Sequence, residues 1–199
     1  MSSFEIYLVS LLYLTTILIF TSCVFFSIYI ITLFIWSKGF SISPTVTSNS
    51  KSIKKIAEYI AFYCKNNPNE RIRILDIGSG YGSMLFKINN SLKNDMIEYV
   101  GYEIAKFPYK ISNFLNKSKN IIFINDDINK LKDFKYNFII TFILKKQQKL
   151  FLNIYRNFPK ESTIIANSLP IPFEKDDKFK LVDTIRVHYG WNIYIYHTL

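Results

Sequence analysis

The sequence predicts an α/β protein: seven strands in a mostly parallel sheet, helices against its faces, an antiparallel hairpin at the C-terminal end, and one membrane-spanning helix in front. Three observations carry this. An apolar run free of charge and proline extends from Ile6 to Trp36. From Arg71 onward, short apolar runs alternate with longer amphipathic ones, the pattern of a parallel sheet covered on both faces. At the close of the chain "FKLVDTIRVH" and "NIYIYHTL" are separated only by "YGW", which leaves no room for a helix.

The first run, "IYLVSLLYLTTILIFTSCVFFSIYIITLFIW", is longer as a helix than a bilayer core of roughly 30 Å at about 1.5 Å per residue. A cleaved signal peptide is a poor match, because the chain opens with "MSSFE" rather than a basic leader and the apolar stretch is too long. Two spans joined by a turn would need a Gly, Pro or Asn inside the run, and it has none. Residues 1–37 are therefore expected to form a single-pass transmembrane anchor. Glu5 precedes it, while Lys38, Lys51, Lys54 and Lys55 follow, so the part after Trp36 is expected on the cytoplasmic or matrix-equivalent side.

All but one of the 25 basic residues and all but one of the 15 acidic residues follow position 50, so that part carries the whole net charge of +10. Such a balance draws a domain toward anionic lipid headgroups or toward nucleic acid. With an anchor already present, the lipid bilayer is the simpler partner, and nucleic acid is not expected. Cys23 and Cys64 have no spaced partners, which argues against a disulfide framework and a zinc site; no metal is expected.

Residues 38–50, including the polar and proline-containing "GFSISPTVTSNS", read as a linker, and 51–199 as the folded domain. In "KSIKKIAEYIAFYC", Ile53, Ile56, Ala57, Ile60 and Cys64 fall at helical spacing, with Lys51, Lys54, Lys55 and Glu58 on other faces. This predicts a first helix packed on the domain, its lysines solvated or turned to headgroups. Strands are then expected in "IRILDI", "IEYVGYEI", "NIIFIN", "YNFIITFIL" and "STIIANSL" before the final hairpin. Between them lie "SMLFKINNSL", "KFPYKISNFLNKS", a short "INKLKDF" and "KKQQKLFLNIYRNF" as helical runs.

Chemistry is concentrated where the first strand ends, in "DIGSGYG", Asp76 to Gly82. Open parallel sheets bind ligands beyond the carboxyl ends of their strands. Gly78, Gly80 and Gly82 permit a tight turn with positive dihedral angles and let a ligand approach the main chain without meeting a Cβ. A purely structural turn would use the same residues. Glu103, about twenty residues on at the end of the next strand, adds an acid suited to a pair of ribose hydroxyls and points to a nucleoside-containing ligand. A dinucleotide fingerprint requires its third glycine where Ser83 stands, and Asp76 at the strand end suits a cationic ligand better than a pyrophosphate.

An apolar strand, an acid and G-x-G-x-G, with "VGYEI" following, resemble the class I S-adenosylmethionine-dependent methyltransferases, a Rossmann-like family, over about residues 51–199. The resemblance implies S-adenosylmethionine as cofactor. It places Asp76 near the methionine ammonium, puts Gly78, Ser79, Gly80 and Gly82 along the methionine and adenosine portions, and gives Glu103 the ribose. In "IIFINDDI" it assigns the adenine amino group to Asp127, with Asp126 as the neighbouring alternative; a helix cap before "INKLKDF" is the competing reading of both. A narrower resemblance is to small membrane-anchored protein-lysine methyltransferases acting on the ATP synthase c subunit and the adenine nucleotide carrier, carried here by "SPTVTSNS", "DIGSG" and "GYE". It implies a lysine of a membrane protein as acceptor. Tyr81 and "TFILKK" depart from that group's pattern and leave the acceptor open: a lipid, a small molecule or RNA are alternatives, as is a tethered nucleoside-binding module without catalysis.

No catalytic residue is assigned. The fourth-strand end, Thr141 to Leu144, should face the methyl group but offers no acid, no cysteine and no Asn-Pro-Pro-Tyr. His188 and His197 read as structural or surface residues, Trp191 as packing, and Lys145, Lys146 and Lys149 as a solvated or membrane-facing start of a helix.

Overall fold

The computed structural model describes residues 3–38, 48–142, 151–173, 176–188 and 190–199. The chain divides into two compact units, Met1–Ser43 and Pro44–Leu199. In the first, α1 runs from Ser3 to Lys38. Its segment Ile6–Thr32 is long and apolar enough to cross a membrane, and its large apolar side chains are exposed. The hydroxyls of Ser10, Thr16 and Ser27 return to carbonyls four residues back, which satisfies them within the helix. Most of the expected linker lies outside the described residues.

In the second unit α2 (Ser50–Asn66) begins at Asn49, whose side chain accepts the Lys51 N–H at 2.9 Å. It buries Ile53, Ile56, Ala57 and Ile60 on one stripe, as the spacing predicts, with Cys64 only half-buried. Then follow β1 (Ile72–Ile77), α3 (Ser83–Leu92), β2 (Ile97–Tyr102), α4 (Lys106–Leu115), β3 (Ile121–Ile124), β4 (Phe138–Thr141), β5 (Thr163–Ser168), β6 (Phe179–His188) and β7 (Trp191–Thr198). A helical stretch at 151–155 precedes β5. Residues 143–150, including Lys145, Lys146 and Lys149, lie outside the described residues.

The seven strands form one sheet in the order β3-β2-β1-β4-β5-β7-β6. Pairs among β1 to β5 are parallel; β7 runs against both β5 and β6, which makes it the reversed strand of the sheet. Right-handed crossovers explain the order: the chain winds outward from β1 to β3, then returns to the other side of β1 at β4. Beside β1 the sheet therefore has its switch point.

Successive residues of β1 serve opposite faces. Ile72 and Ile74 join Ile56, Ile60, Leu85, Ile88 and Phe138 in the core beneath α2 and α3. Leu75 and Ile77 join Tyr155, Phe158, Ile164 and Tyr196 in the core on the other face. Among the described residues, the β2–β3 end of that second face is covered by irregular chain rather than by a helix. The expected helical run "INKLKDF" contracts to a three-residue 3-10 turn, Ile128–Lys130, capped by Asp127. Its apolar residues Ile128, Leu131 and Phe134 recur every third position, a spacing that an irregular segment dipping into the core satisfies as well as a helix does. A shallow groove remains over Val100, Ile122, Ile124 and Leu131, and Ile122 is half exposed.

A charged hub ties the segment beyond the turn to the sheet. The Arg73 guanidinium donates to Asp133 Oδ2 at 2.6 Å, to the Lys135 carbonyl at 3.0 Å and to Glu98 at 3.3 Å, and lies 4.5 Å from the centre of the Tyr136 ring. This replaces part of the packing that a longer helix would have supplied.

Candidate active site

At the carboxyl edge of β1 the chain turns through Gly78 (φ +78°), Gly80 (φ +55°) and Gly82 (φ +76°), three left-handed conformations that L side chains disfavour. Two consecutive amides, those of Gly78 and Ser79, donate to the Tyr102 carbonyl at 2.9 Å each, pinning the loop to the end of β2. The Gly82 N–H closes the turn on the Ser79 carbonyl at 2.9 Å, and Gly82 then serves as the N-cap of α3.

The glycines are not equivalent. A Cβ at Gly78 would meet nothing within 4 Å. One at Gly82 would stand 2.5 Å from the Phe123 ring and 3.0 Å from Phe86, so that glycine has a packing reason of its own, independent of any ligand. Gly101 in β2, the first residue of "GYE", is a third case, and its packing role is one the sequence pattern did not reveal. A side chain there would collide with Phe123 at 2.7 Å and with the Ser79 hydroxyl at 2.8 Å. Its absence makes room for Ser79 against the sheet.

Glu103 stands one residue beyond β2 and is 6% exposed. Its Oε2 accepts the Gly80 N–H at 2.8 Å and its Oε1 accepts the Ala105 N–H at 2.7 Å. Each oxygen keeps a lone pair for a further donor. Asp76, 5% exposed, points to the same corner; burial first and the Glu103 charge second push its carboxyl up to about 7. The Ser79 hydroxyl is buried with no hydrogen-bond partner. Two buried acids and an unpaired hydroxyl beside a backbone turn open at Gly78 form a polar, anionic corner that a cationic, hydroxyl-bearing ligand would satisfy.

Asp126 and Asp127 follow β3 at the same edge, and both carboxylates are engaged locally. Asp127 Oδ1 accepts the Asn129 N–H at 2.9 Å and its side-chain amide at 2.8 Å, which is the cap that the sequence allowed. Lys130 donates to Asp126 at 2.7 Å, and that hydrogen bond holds the Asp126 carboxyl below its ordinary range. Asn125, unmarked in the sequence, donates to the Glu103 carbonyl at 2.8 Å and to the Ile104 carbonyl at 3.2 Å, binding the loop after β3 to the loop after β2.

Across β1 the edge is aromatic. Phe142, just past β4, stacks on Trp191 at 5.6 Å between ring centres. Trp191 donates its indole N–H to Asn167 Oδ1 at 3.0 Å, and Asn167, 2% exposed, donates to the Ser48 hydroxyl at 3.1 Å. Thr141 ends β4 buried, accepting the Tyr155 hydroxyl at 3.0 Å. Ser168, at the end of β5, holds φ +87°, a conformation costly for a residue with a Cβ and common at ligand sites. His188 ends β6 at this edge, whereas His197 pairs with Thr163 at the opposite one. Ile143 and Leu144, the remainder of the expected methyl-facing stretch, lie outside the described residues.

No protein-family model matches the chain. A release factor glutamine methyltransferase of Fusobacterium nucleatum is 31% identical over 101 residues, which cover 48% of this chain and 28% of that protein. The chain thus spans less than a third of the relative's length. Among solved structures, an RNA methyltransferase from Salinibacter ruber in complex with S-adenosyl-L-homocysteine superposes with a TM-score of 0.63 at 13% identity, over 77% of this chain and 94% of that one. A magnesium protoporphyrin IX methyltransferase from Synechocystis with bound S-adenosylmethionine gives 0.54 at 13% identity, over 73% and 79%. The domain has the Rossmann-like fold of the class I methyltransferases, with its sheet mostly parallel and its C-terminal hairpin antiparallel.

Proposed function

We propose that this chain is a membrane-anchored S-adenosylmethionine-dependent methyltransferase whose acceptor is a lysine of a membrane protein. The observation that carries the cofactor assignment is the Glu103 carboxylate held between the Gly80 and Ala105 amides beside the buried Asp76. When bound, S-adenosylmethionine supplies an electrophilic methyl group on a sulfonium. Asp76 opposes the ammonium of its methionine portion, and Glu103 accepts from its ribose hydroxyls. Gly78, Ser79, Gly80 and Gly82 admit it against the main chain, with the Ser79 hydroxyl gaining a partner. Asp127, or Asp126 beside it, takes the adenine amino group from the loop after β3.

Methyl transfer proceeds by in-line displacement, so the chain's main task is to position the acceptor and keep water away. Phe142, Trp191 and Asn167 wall the edge beyond β4 and β5 where the acceptor enters. A lysine acceptor must first shed a proton from a group whose reference pKa is about 10.4, and a dry, partly aromatic entry lowers that value.

The lysine reading is supported by the "DIGSG" and "GYE" segments and by the apolar helix Ile6–Thr32, read as an anchor that holds the catalytic domain on the cytoplasmic or matrix-equivalent side. Glutamine is a weaker candidate, because "TFIL" occupies residues 141–144 where Asn-Pro-Pro-Tyr would be expected. Fold neighbours named for RNA and for a porphyrin illustrate that this architecture does not fix the acceptor. Incubating the full chain with radiolabelled S-adenosylmethionine and a membrane extract tests the proposal. Label in protein, recovered as methyl-lysine after hydrolysis, is expected. Label in the lipid extract or label removed by nuclease would overturn the acceptor, and no label despite cofactor binding would leave a binding module.

A further inference from the structure

Helix α4 faces the wrong way for a helix that merely covers a sheet. Its apolar residues Phe107, Ile111, Phe114 and Leu115 recur at i, i+4, i+7 and i+8, a single stripe. Yet the residues it buries are Pro108 and Ser112. Phe114 is 86% exposed, Leu115 52% and Phe107 46%, Ile111 between them is partly buried, and Ile104, which continues the stripe, is 47% exposed. Single exposed apolar side chains are ordinary; a contiguous stripe on one helix is not. Lys106, Lys110 and Lys117 flank it, and residues 104–120 contain no acid.

We propose that α4 docks on an anionic lipid surface, with Phe114 and Leu115 entering the boundary between headgroups and acyl chains and Lys106, Lys110 and Lys117 contacting the headgroups. An apolar face bordered by lysines alone is the composition of a helix that lies in a membrane interface. A second observation supplies the occupant: the same chain carries the 27-residue apolar segment Ile6–Thr32 ahead of this folded unit, which begins at Pro44. The proposal rests on the anchor reading for keeping a bilayer within reach. It also bears on the candidate site, since α4 starts three residues after Glu103 and its N-cap Ala105 donates to that carboxylate at 2.7 Å.

The test uses the full chain in nanodiscs of phosphatidylcholine alone or with phosphatidylserine, and the rate at which a membrane-impermeant maleimide labels Phe114→Cys. The parent chain, with Cys23 and Cys64, gives the background, and Lys160→Cys is an exposed control. Labelling at position 114 is expected to slow roughly tenfold in the anionic discs, the control to be unchanged, and K106E/K110E/K117E to abolish the difference. Equal rates in both discs overturn the proposal, as does protection that grows with protein concentration in neutral discs, which would mean a second copy covers the stripe. A chain that leaves the discs overturns the anchor reading. Labelling on anionic vesicles then decides the α4 proposal separately: protection keeps it and equal rates overturn it.

Discussion

Glu103 and Gly80, twenty-three positions apart, are joined by a 2.8 Å hydrogen bond from the glycine amide to the buried carboxylate. The bond makes one unit of the two segments from which a nucleoside ligand would be read. The same carboxylate both shapes the glycine loop and keeps lone pairs for hydroxyls, so removing it disturbs loop and ligand together.

Two of the loop glycines, Gly78 and Gly82, should separate by phenotype. Gly82→Ala places a methyl group 2.5 Å from the Phe123 ring at φ +76°, and should cost roughly 2 to 4 kcal/mol of stability from overpacking and backbone strain. Gly78→Ala meets no atom within 4 Å, and should cost about 1 to 2 kcal/mol from its dihedral alone while weakening the cofactor. Urea unfolding beside a binding titration distinguishes them; equal stability losses would contradict the packing role given to Gly82.

Asp76 gives a pH dependence with a definite sign. Its carboxyl is raised from about 3.9 in the unfolded chain to about 7 in the fold, chiefly by burial. Between these values the folded state holds more protons than the unfolded state, so stability falls as pH rises from about 4 to about 7 and the penalty is complete above. Asp76→Asn should flatten that profile and stabilise the ligand-free protein at neutral to alkaline pH by roughly 1 to 3 kcal/mol. The same change should weaken S-adenosylmethionine, because the proposed role of Asp76 is to oppose the ammonium as an ionised carboxylate. For the native protein, affinity should decline as pH falls through about 7. Melting curves and titrations across pH read both.

Asn167 links Trp191 to Ser48 while buried at 2% exposure. Asn167→Leu leaves the indole N–H without its acceptor and should destabilise by about 1 to 3 kcal/mol. Because the cluster lies across β1 from Glu103, cofactor affinity should hold while turnover drops. A parallel loss of affinity would place Asn167 in the cofactor site instead.

Much of the fold was legible because its strands are nearly all apolar and its turns carry glycine: "IRILDI" and "SMLFKINNSL" coincide with β1 and α3, and the "YGW" spacing with the hairpin. Three things were not legible. Three-residue spacing in Ile128, Leu131 and Phe134 fits a helix, yet the segment is too short to repay helix nucleation, and Asp127 caps a single 3-10 turn. Amphipathic periodicity in α4 reveals a stripe but not which side faces the sheet. Spacing alone likewise cannot tell a glycine that admits a ligand from one that admits Phe123, nor flag Gly101, whose role depends on a residue twenty-two positions later.

The most direct test of the account is calorimetric titration of S-adenosylmethionine into the detergent-solubilised chain beside Glu103→Ala. Saturable binding to the native protein, weakened in the variant by about 1.5 to 3 kcal/mol as befits lost charge-assisted hydrogen bonds, is the predicted result. A folded chain that binds no S-adenosylmethionine but takes up a nicotinamide dinucleotide would contradict it.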